Sequence, residues 1–483
     1  MKNIIVIYDN IMMPNKKIST IIGDKSYADI ILKRKNLYSK YENILNNKSY
    51  VKEIIRINSL NELKDVRQRI QNINNENIIH IFSNYLFIDE EKFEIIMDKA
   101  CYINEDIFVK NEKDIVMLMY HSEKNYIQFL DNYDIQKNIL NEKTEEKMEV
   151  DTFINLEDYN NFLNYISGGF DSRFFNKMSS DENVVIKKST DKKKIKKEYM
   201  YYQLLPEDAK RWMVLPYNYI ENEDDASYTM ERIFMPDLAI RWTHGAITKK
   251  EFTMILEKIF YYIKTRKQKV ISKEEYKKIS DELYIEKVEK RVEDLKKHEQ
   301  YKVISEYIRN GTEYESIDEI VEDYKKLYNV IINDEKKYIS AIGHGDLCFS
   351  NILYNEETNM IRFIDPKGAL TEEELWTNPY YDIAKLSHSI CGLYDLFNCG
   401  LYDIYIDEKL KFDLKIKYDN SEYETIFKEF LVENGYDYNK IRIYEASLFL
   451  SMLPLHMDYP KKVFGFLLNG INIMKKIRRN KNV

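Results

Sequence analysis

Between residues 343 and 368 the chain reads Gly343-His344-Gly345-Asp346-Leu347-Cys348-Phe349-Ser350-Asn351, and then Ile361-Arg362-Phe363-Ile364-Asp365-Pro366-Lys367-Gly368. The pattern H-x-D-x-x-x-x-N, followed by a second Asp at the end of an apolar stretch, suits phosphoryl transfer. That chemistry needs one carboxylate beside the acceptor hydroxyl, free of metal. It also needs separate oxygen donors to hold magnesium against the phosphates of ATP, because magnesium prefers hard oxygens in near-octahedral geometry. Asp346 fits the first role as the catalytic carboxylate, and Asn351 and Asp365 fit the second as metal ligands. A lone Asp or Asn in a loop usually caps a turn or a helix. The combined spacing is much harder to obtain in that way. Glycine is scarce, 13 in 483 residues, where average usage near 7% would give about 34. Three glycines in this one stretch therefore carry weight.

The same chemistry asks for a turn over the phosphates, a Lys on the next strand and a Glu on the following helix to position that Lys. Gly168-Gly169 is the only adjacent glycine pair in the chain and is the candidate turn. Val184-Val185-Ile186-Lys187 follows as an apolar run ending in Lys, with Lys188 its competitor by register. Glu198 lies on the next helical pattern and is the only carboxylate between Asp191 and Glu207. The full G-x-G-x-x-G series is missing, although backbone N–H groups of a short turn can still bind an anion. Tyr228–Ile233 sits where a hinge strand is expected, with backbone groups of Glu231 and Ile233 placed to meet an adenine edge.

These motifs, HGDLCFSNILY…FIDPKG and then Asn378-Pro379-Tyr380-Tyr381-Asp382-Ile383-Ala384-Lys385-Leu386, resemble the aminoglycoside phosphotransferase and choline kinase superfamily. The likeness is greatest to members associated with bacterial capsule and surface-polysaccharide synthesis. It spans roughly residues 155–470 and is strongest over 342–395. It implies a protein-kinase-like, two-lobed α+β fold with a small β-rich lobe and a large helical lobe. The implied activity is transfer of phosphate from ATP, with magnesium, to the hydroxyl of a small metabolite such as a sugar or an amino alcohol. By the same resemblance Asp382 supports the loop around Asp346. Trp242, Trp376, Tyr380 and Tyr381 are candidates to cage a quaternary ammonium by cation–π contact, with ordinary packing as the competing reading in a chain of 40 tyrosines. His244 could line the pocket or be a buried structural residue. A non-catalytic nucleotide-binding scaffold, or a bifunctional kinase–nucleotidyltransferase, are the rival readings.

The elements that must position these residues follow from periodicity. Strand patterns at Ile4–Tyr8, Val51–Ile57, Ile78–Phe82, Asp106–Val109 and Ile115–Met119 alternate with helical patterns at Ala28–Leu45 and Leu60–Ile73. That alternation predicts an α/β domain with a largely parallel sheet over residues 1–150, closed by a charged linker at Glu142–Asp151. This domain faintly resembles a degenerate sugar nucleotidyltransferase. Tyr8–Lys17 holds no glycine for a phosphate loop, and Asn84 stands where such enzymes commonly carry a metal-binding Asp, with Asp89 nearby. It could bind a sugar nucleotide, a partner or a second copy of the chain. Residues 151–235 read as the small lobe, with strands at Tyr165–Phe175 and Asn183–Lys188, a helix at Asp191–Leu205, and strands at Met213–Tyr219 and Tyr228–Ile233. Residues 236–483 read as the helical lobe, with long helices at Lys249–Thr265, Lys273–Glu299 and Ile317–Asn333.

Composition narrows the remaining classes. An apolar share of 44% with 32% charged residues supports several cores and excludes a disordered chain. A formal charge of −8 argues against wholesale nucleic-acid binding. Four scattered cysteines are too few for a disulfide framework. The five apolar residues at the start are too short for a signal-peptide core, and no run reaches membrane-spanning length. A cytoplasmic setting is expected.

Overall fold

The computed structural model describes residues 2–73, 75–133, 146–167, 184–332 and 335–481. The chain divides into two compact units, Met1–Asn176 with His244–Ala246, and Lys177–Thr243 with Ile247–Val483.

In the first unit, strand Ile4–Asp9 is buried along its whole length, as a strand covered on both faces must be. It lies between Val51–Ile57 and Asn77–Phe82, parallel to both. The predicted parallel sheet gives way beyond that point. Ile107–Asn111 and Asp114–Tyr120 form an antiparallel hairpin that joins Asn77–Phe82 through Asp114–Tyr120. Only Glu112 and Lys113 separate the two strands, and a parallel crossover needs a dozen residues or more. The predicted helix Ala28–Leu45 is also broken. Lys33 and Arg34 take positive φ and turn a two-residue hairpin. The helix then starts at Leu37, capped by the Asn36 side chain.

The unit extends past the expected linker. Glu146–Val150 adds a parallel edge strand beside Ile107–Asn111, and Phe153–Asn155 pairs with Tyr85–Phe87. Helix Tyr159–Ile166 buries Phe162, Leu163, Tyr165 and Ile166, so the strand predicted from Tyr165 begins as helix.

The second unit opens with an antiparallel sheet in which Ala226–Glu231 lies between Val184–Ser189 and Pro216–Glu221. Helix Lys192–Leu204 packs on it through Ile195 against Ala226 and Tyr228. The rest is mainly helical around Tyr438–Met452, which is buried nearly all round, the pattern of a helix enclosed by others. Among the described residues three small β elements interrupt the helices; the last in the chain is the hairpin Tyr402–Ile406 with Phe412–Ile416, and two come before it. One is the hairpin Ile352–Asn355 with Met360–Phe363. The other places Ile339–Ile342 between Gln268–Val270 and Trp376–Thr377. The predicted single helix Lys273–Glu299 is three segments, Lys273–Asp281, a π-helical turn at Glu282–Glu286, and Lys287–Lys296.

Candidate active site

Successive side chains on a strand point to opposite faces, so Val184–Ser189 separates its two lysines. Lys188 Nζ lies 2.6 Å from Asp225 Oδ2. Lys187 Nζ instead lies 2.7 Å from Glu198 Oε2 and 2.8 Å from Asp365 Oδ1. Burial pushes the Lys187 ammonium toward neutrality, but the Asp365 and Glu198 carboxylates outweigh it and hold its pKa above the ordinary lysine value. Glu198 is carried by a helix whose first turn is capped by Asp191, which accepts the Lys194 N–H. It is buried and also accepts the Tyr228 hydroxyl at 3.1 Å. Glu231 ends the central strand. The Ile233 carbonyl accepts the Met235 N–H at 2.8 Å. Gly168 and Gly169 lie outside the described residues.

The second loop is assembled by backbone bonds. Ile364 N–H donates to Asn351 O, and Lys367 N–H donates to His344 O, each at 3.0 Å, which joins the segment bearing Asp365 to the one bearing Asp346. Asn351 Nδ2 donates to Asp346 O at 2.8 Å and to Asp346 Oδ2 at 3.2 Å. The amide is thereby oriented with its NH₂ on Asp346, and Oδ1 is the atom left for a cation. Asp365 sits at φ 55°, a left-handed conformation uncommon outside Gly, Asn and Asp. Gly368, at φ 85°, follows because a Cβ there would come within 2.7 Å of the Lys197 carbonyl carbon and 2.9 Å of Glu198 N. With that approach open, Ala369 N–H reaches Lys197 O at 3.0 Å. The loop after Asp365 is thus docked on the helix that carries Glu198.

Asp382 supports this loop from below. Its carboxylate accepts His344 N–H at 3.0 Å and Gly345 N–H at 2.8 Å, and pairs with Arg266 Nη1 at 2.7 Å. Both partners of the ion pair are fully buried. Removing one partner strands the other charge, so Asp382→Ala is expected to destabilise the fold by about 3–5 kcal/mol. Urea unfolding measures this. A variant as stable as the parent would deny Asp382 its supporting role.

Asp346 has a partner that spacing did not flag. Lys385 Nζ lies 2.8 Å from Asp346 Oδ1. Burial pushes the Asp346 carboxyl up, but the Lys385 ammonium outweighs it and holds the pKa below the usual carboxylate range. Lys385 stands three residues after Asp382 on helix Tyr381–Ile390, one turn along, so both side chains reach the same loop. That i,i+3 relation was the available signal.

Asp346 also lines a cavity of about 650 Å³ together with Trp376, Tyr381, Lys385 and residues of the π-helical turn. Of the aromatic candidates, Trp242 is wholly buried against Phe252, Phe349, Tyr418 and Tyr423. Tyr380 packs on Tyr436 and Tyr444. His244 belongs to the first unit, where its Nε2 accepts the Ile31 N–H at 2.9 Å.

Asn351 Oδ1 and the Asp365 carboxylate are oxygen donors of the type magnesium prefers. Among the described residues, no cluster of three or more His, Cys, Asp or Glu is arranged to hold a metal.

No family model matches the sequence, and no curated protein matches it. Solved structures that match include aminoglycoside phosphotransferases. A thermostable mutant of aminoglycoside phosphotransferase APH(4)-Ia in its apo form covers 62% of this chain with 87% of its own, at 10% identity and a TM-score of 0.34. The same enzyme in a ternary complex with ADP and hygromycin B gives 61% and 86%, 10% identity and 0.36. An aminoglycoside-3'-phosphotransferase of type VIII gives 56% and 84%, 11% identity and 0.32. Overlaps this loose carry no weight for the fold or for an activity.

The first unit offers less. Asp9, at the end of strand Ile4–Asp9, is buried and lies 3.1 Å from His80 Nε2. Asp89 is a helix cap that accepts the Lys92 N–H. Asn84 is buried, and its carbonyl accepts the Leu156 N–H.

Proposed function

We propose that the second unit is a protein-kinase-like phosphotransferase that moves the γ-phosphoryl group of ATP to a hydroxyl of a small molecule. The observation that carries this reading is the ion-pair chain Glu198–Lys187–Asp365, with the neighbouring Ile364 N–H bonded to Asn351 O and the Asn351 side chain bonded to Asp346. A structural salt bridge needs two partners. A lysine shared between a buried glutamate and a half-exposed carboxylate in a left-handed turn is instead suited to releasing the second carboxylate to a cation and taking up phosphate.

In this reading Lys187 binds the nucleotide phosphates and Glu198 fixes its direction. Backbone groups at Glu231 and Ile233 meet the adenine. Asn351 and Asp365 would hold magnesium, which supplies charge neutralisation at the phosphates. Asp346 accepts the hydrogen bond of the incoming hydroxyl. Because Lys385 makes Asp346 a weaker base, its main work is orienting that oxygen in line with the γ-phosphorus.

The sequence resemblance favours a cytoplasmic role in capsule or surface-polysaccharide synthesis and a sugar or amino alcohol as acceptor. Among the described residues no helix is long and apolar enough to cross a membrane. The first unit is proposed as a catalytically degenerate nucleotidyltransferase-like accessory, since Tyr8–Lys17 lacks glycine and Asp89 serves as a cap.

The test is calorimetric binding of ATP with and without magnesium, for the parent and for Lys187→Ala. Magnesium-dependent binding that weakens about tenfold or more in the variant is expected. Equal binding by both would sink the reading.

A further inference from the structure

The cavity beside Asp346 has a charge pattern that points to its occupant. Its lining includes Lys287, Lys290, Arg291, Lys367 and Lys385, against the carboxylates of Glu282, Glu286 and Asp346. It includes neither Lys187, Asn351 nor Asp365, so these cations are distinct from the groups proposed to hold the nucleotide. Two of the cations are already engaged, Lys385 with Asp346 and Lys287 with the Tyr381 hydroxyl at 2.9 Å. Lys290, Arg291 and Lys367 make no ion pair among the described residues.

The π-helical turn Glu282–Glu286 re-registers the helix just before Lys287. Such turns are frequent at functional sites. Here Lys287, Lys290 and Arg291 all face one cavity. The positive field reaches the wall: burial alone would raise the Tyr381 phenol, yet Lys287 and Lys385 outweigh it and lower its pKa.

The aromatic rings in the cavity are already occupied as cation platforms. Lys269 Nζ lies 4.6 Å from the Trp376 ring centroid, and Lys287 Nζ lies 5.5 Å from that of Tyr381. A quaternary ammonium or aminosugar would meet these lysines rather than a free aromatic face, and like charges in one pocket repel.

On the phosphotransferase reading above, we infer that the acceptor is a small polyhydroxylated molecule carrying its own anionic group, phosphate or carboxylate, held by Lys290, Arg291 and Lys367 while Asp346 orients its hydroxyl. Arginine suits such groups because its fork matches two oxygens at once.

The test uses the full chain loaded with magnesium and a non-hydrolysable ATP analogue, titrated calorimetrically with glucose 6-phosphate, glucuronate, glucose and glucosamine. At least one of the two anions is expected to bind about tenfold or more tightly than glucose and glucosamine. Lys290→Ala/Arg291→Ala should weaken that anion about tenfold or more and leave the affinity for the nucleotide analogue unchanged. Both positions lie on a helix surface where alanine favours the helix, so unchanged nucleotide affinity also reports an intact fold. The inference is overturned if glucosamine binds as well as the anions, if neither anion binds below about 10 mM, or if the double variant holds its anion unchanged. Failure of the analogue to bind the parent would instead strike the phosphotransferase reading. Anion binding to the nucleotide-free chain separates the two.

Discussion

Asp346→Asn is expected to lower phosphoryl transfer by about 10²–10⁴-fold, the range typical of a positioned acid–base group, or roughly 3–5 kcal/mol of barrier. The substitution keeps the shape of the side chain and removes its charge. Two consequences follow from its neighbours. Lys385, now 2.8 Å from the carboxylate, would face a neutral amide. Asn351, which donates to Asp346 Oδ2 and to its backbone carbonyl, keeps the backbone bond and so keeps its place. Nucleotide affinity should therefore change little, because Lys187, Asn351 and Asp365 remain. The measurement is paired: ATP binding by calorimetry, and ADP release with an anionic acceptor. If binding falls as far as turnover, Asp346 is a metal ligand or a loop cap. Unaltered turnover would remove the proposed role of the whole loop.

Asp365→Ala should be more severe. It deletes one of the two proposed oxygen donors and one of the two carboxylates on Lys187, so magnesium-dependent stabilisation worth several kcal/mol should be lost, about 10³-fold or more in turnover. Unlike Asp346→Asn, it should also abolish the gain in ATP affinity that magnesium brings. The fold should survive, since the side chain is 42% exposed. Alanine at φ 55° costs only about 1–2 kcal/mol. Magnesium-enhanced ATP binding at the parent level in this variant would take Asp365 out of the site. The contrast between the two variants, one failing in turnover alone and the other in metal-linked binding as well, separates the two carboxylates by role.

Local patterns made several parts of this arrangement legible. Spacing alone singled out Asp346, Asn351 and Asp365, because a short loop and a tight hairpin bring nearby residues together whatever surrounds them. Helix Lys249–Thr265 was legible in outline, since its apolar period is a local signal. The same logic placed Glu198 on a helix following the Lys187 strand.

What local pattern could not decide was direction and company. Lys187 and Lys188 are equivalent in sequence. Only the pairing of Val184–Ser189 against Ala226–Glu231 gives one of them Glu198 and the other Asp225. Lys385 carried no flag until helix Tyr381–Ile390 packed its first turn under the Asp346 loop. The break at Glu282–Glu286 is invisible to a helical period that runs through it, because a π-turn inserts a residue without changing composition. The hairpin at Ile107–Tyr120 and the edge strand Glu146–Val150 show the same limit. Strand tendency is local, whereas parallel or antiparallel pairing depends on the length of the connection and on which edge is free. Residue types and spacing determined that this chain could carry phosphoryl-transfer chemistry. The Lys385 charge beside Asp346 was decided only by tertiary packing, because electrostatic environment is a property of distances in space and not of separation along the chain.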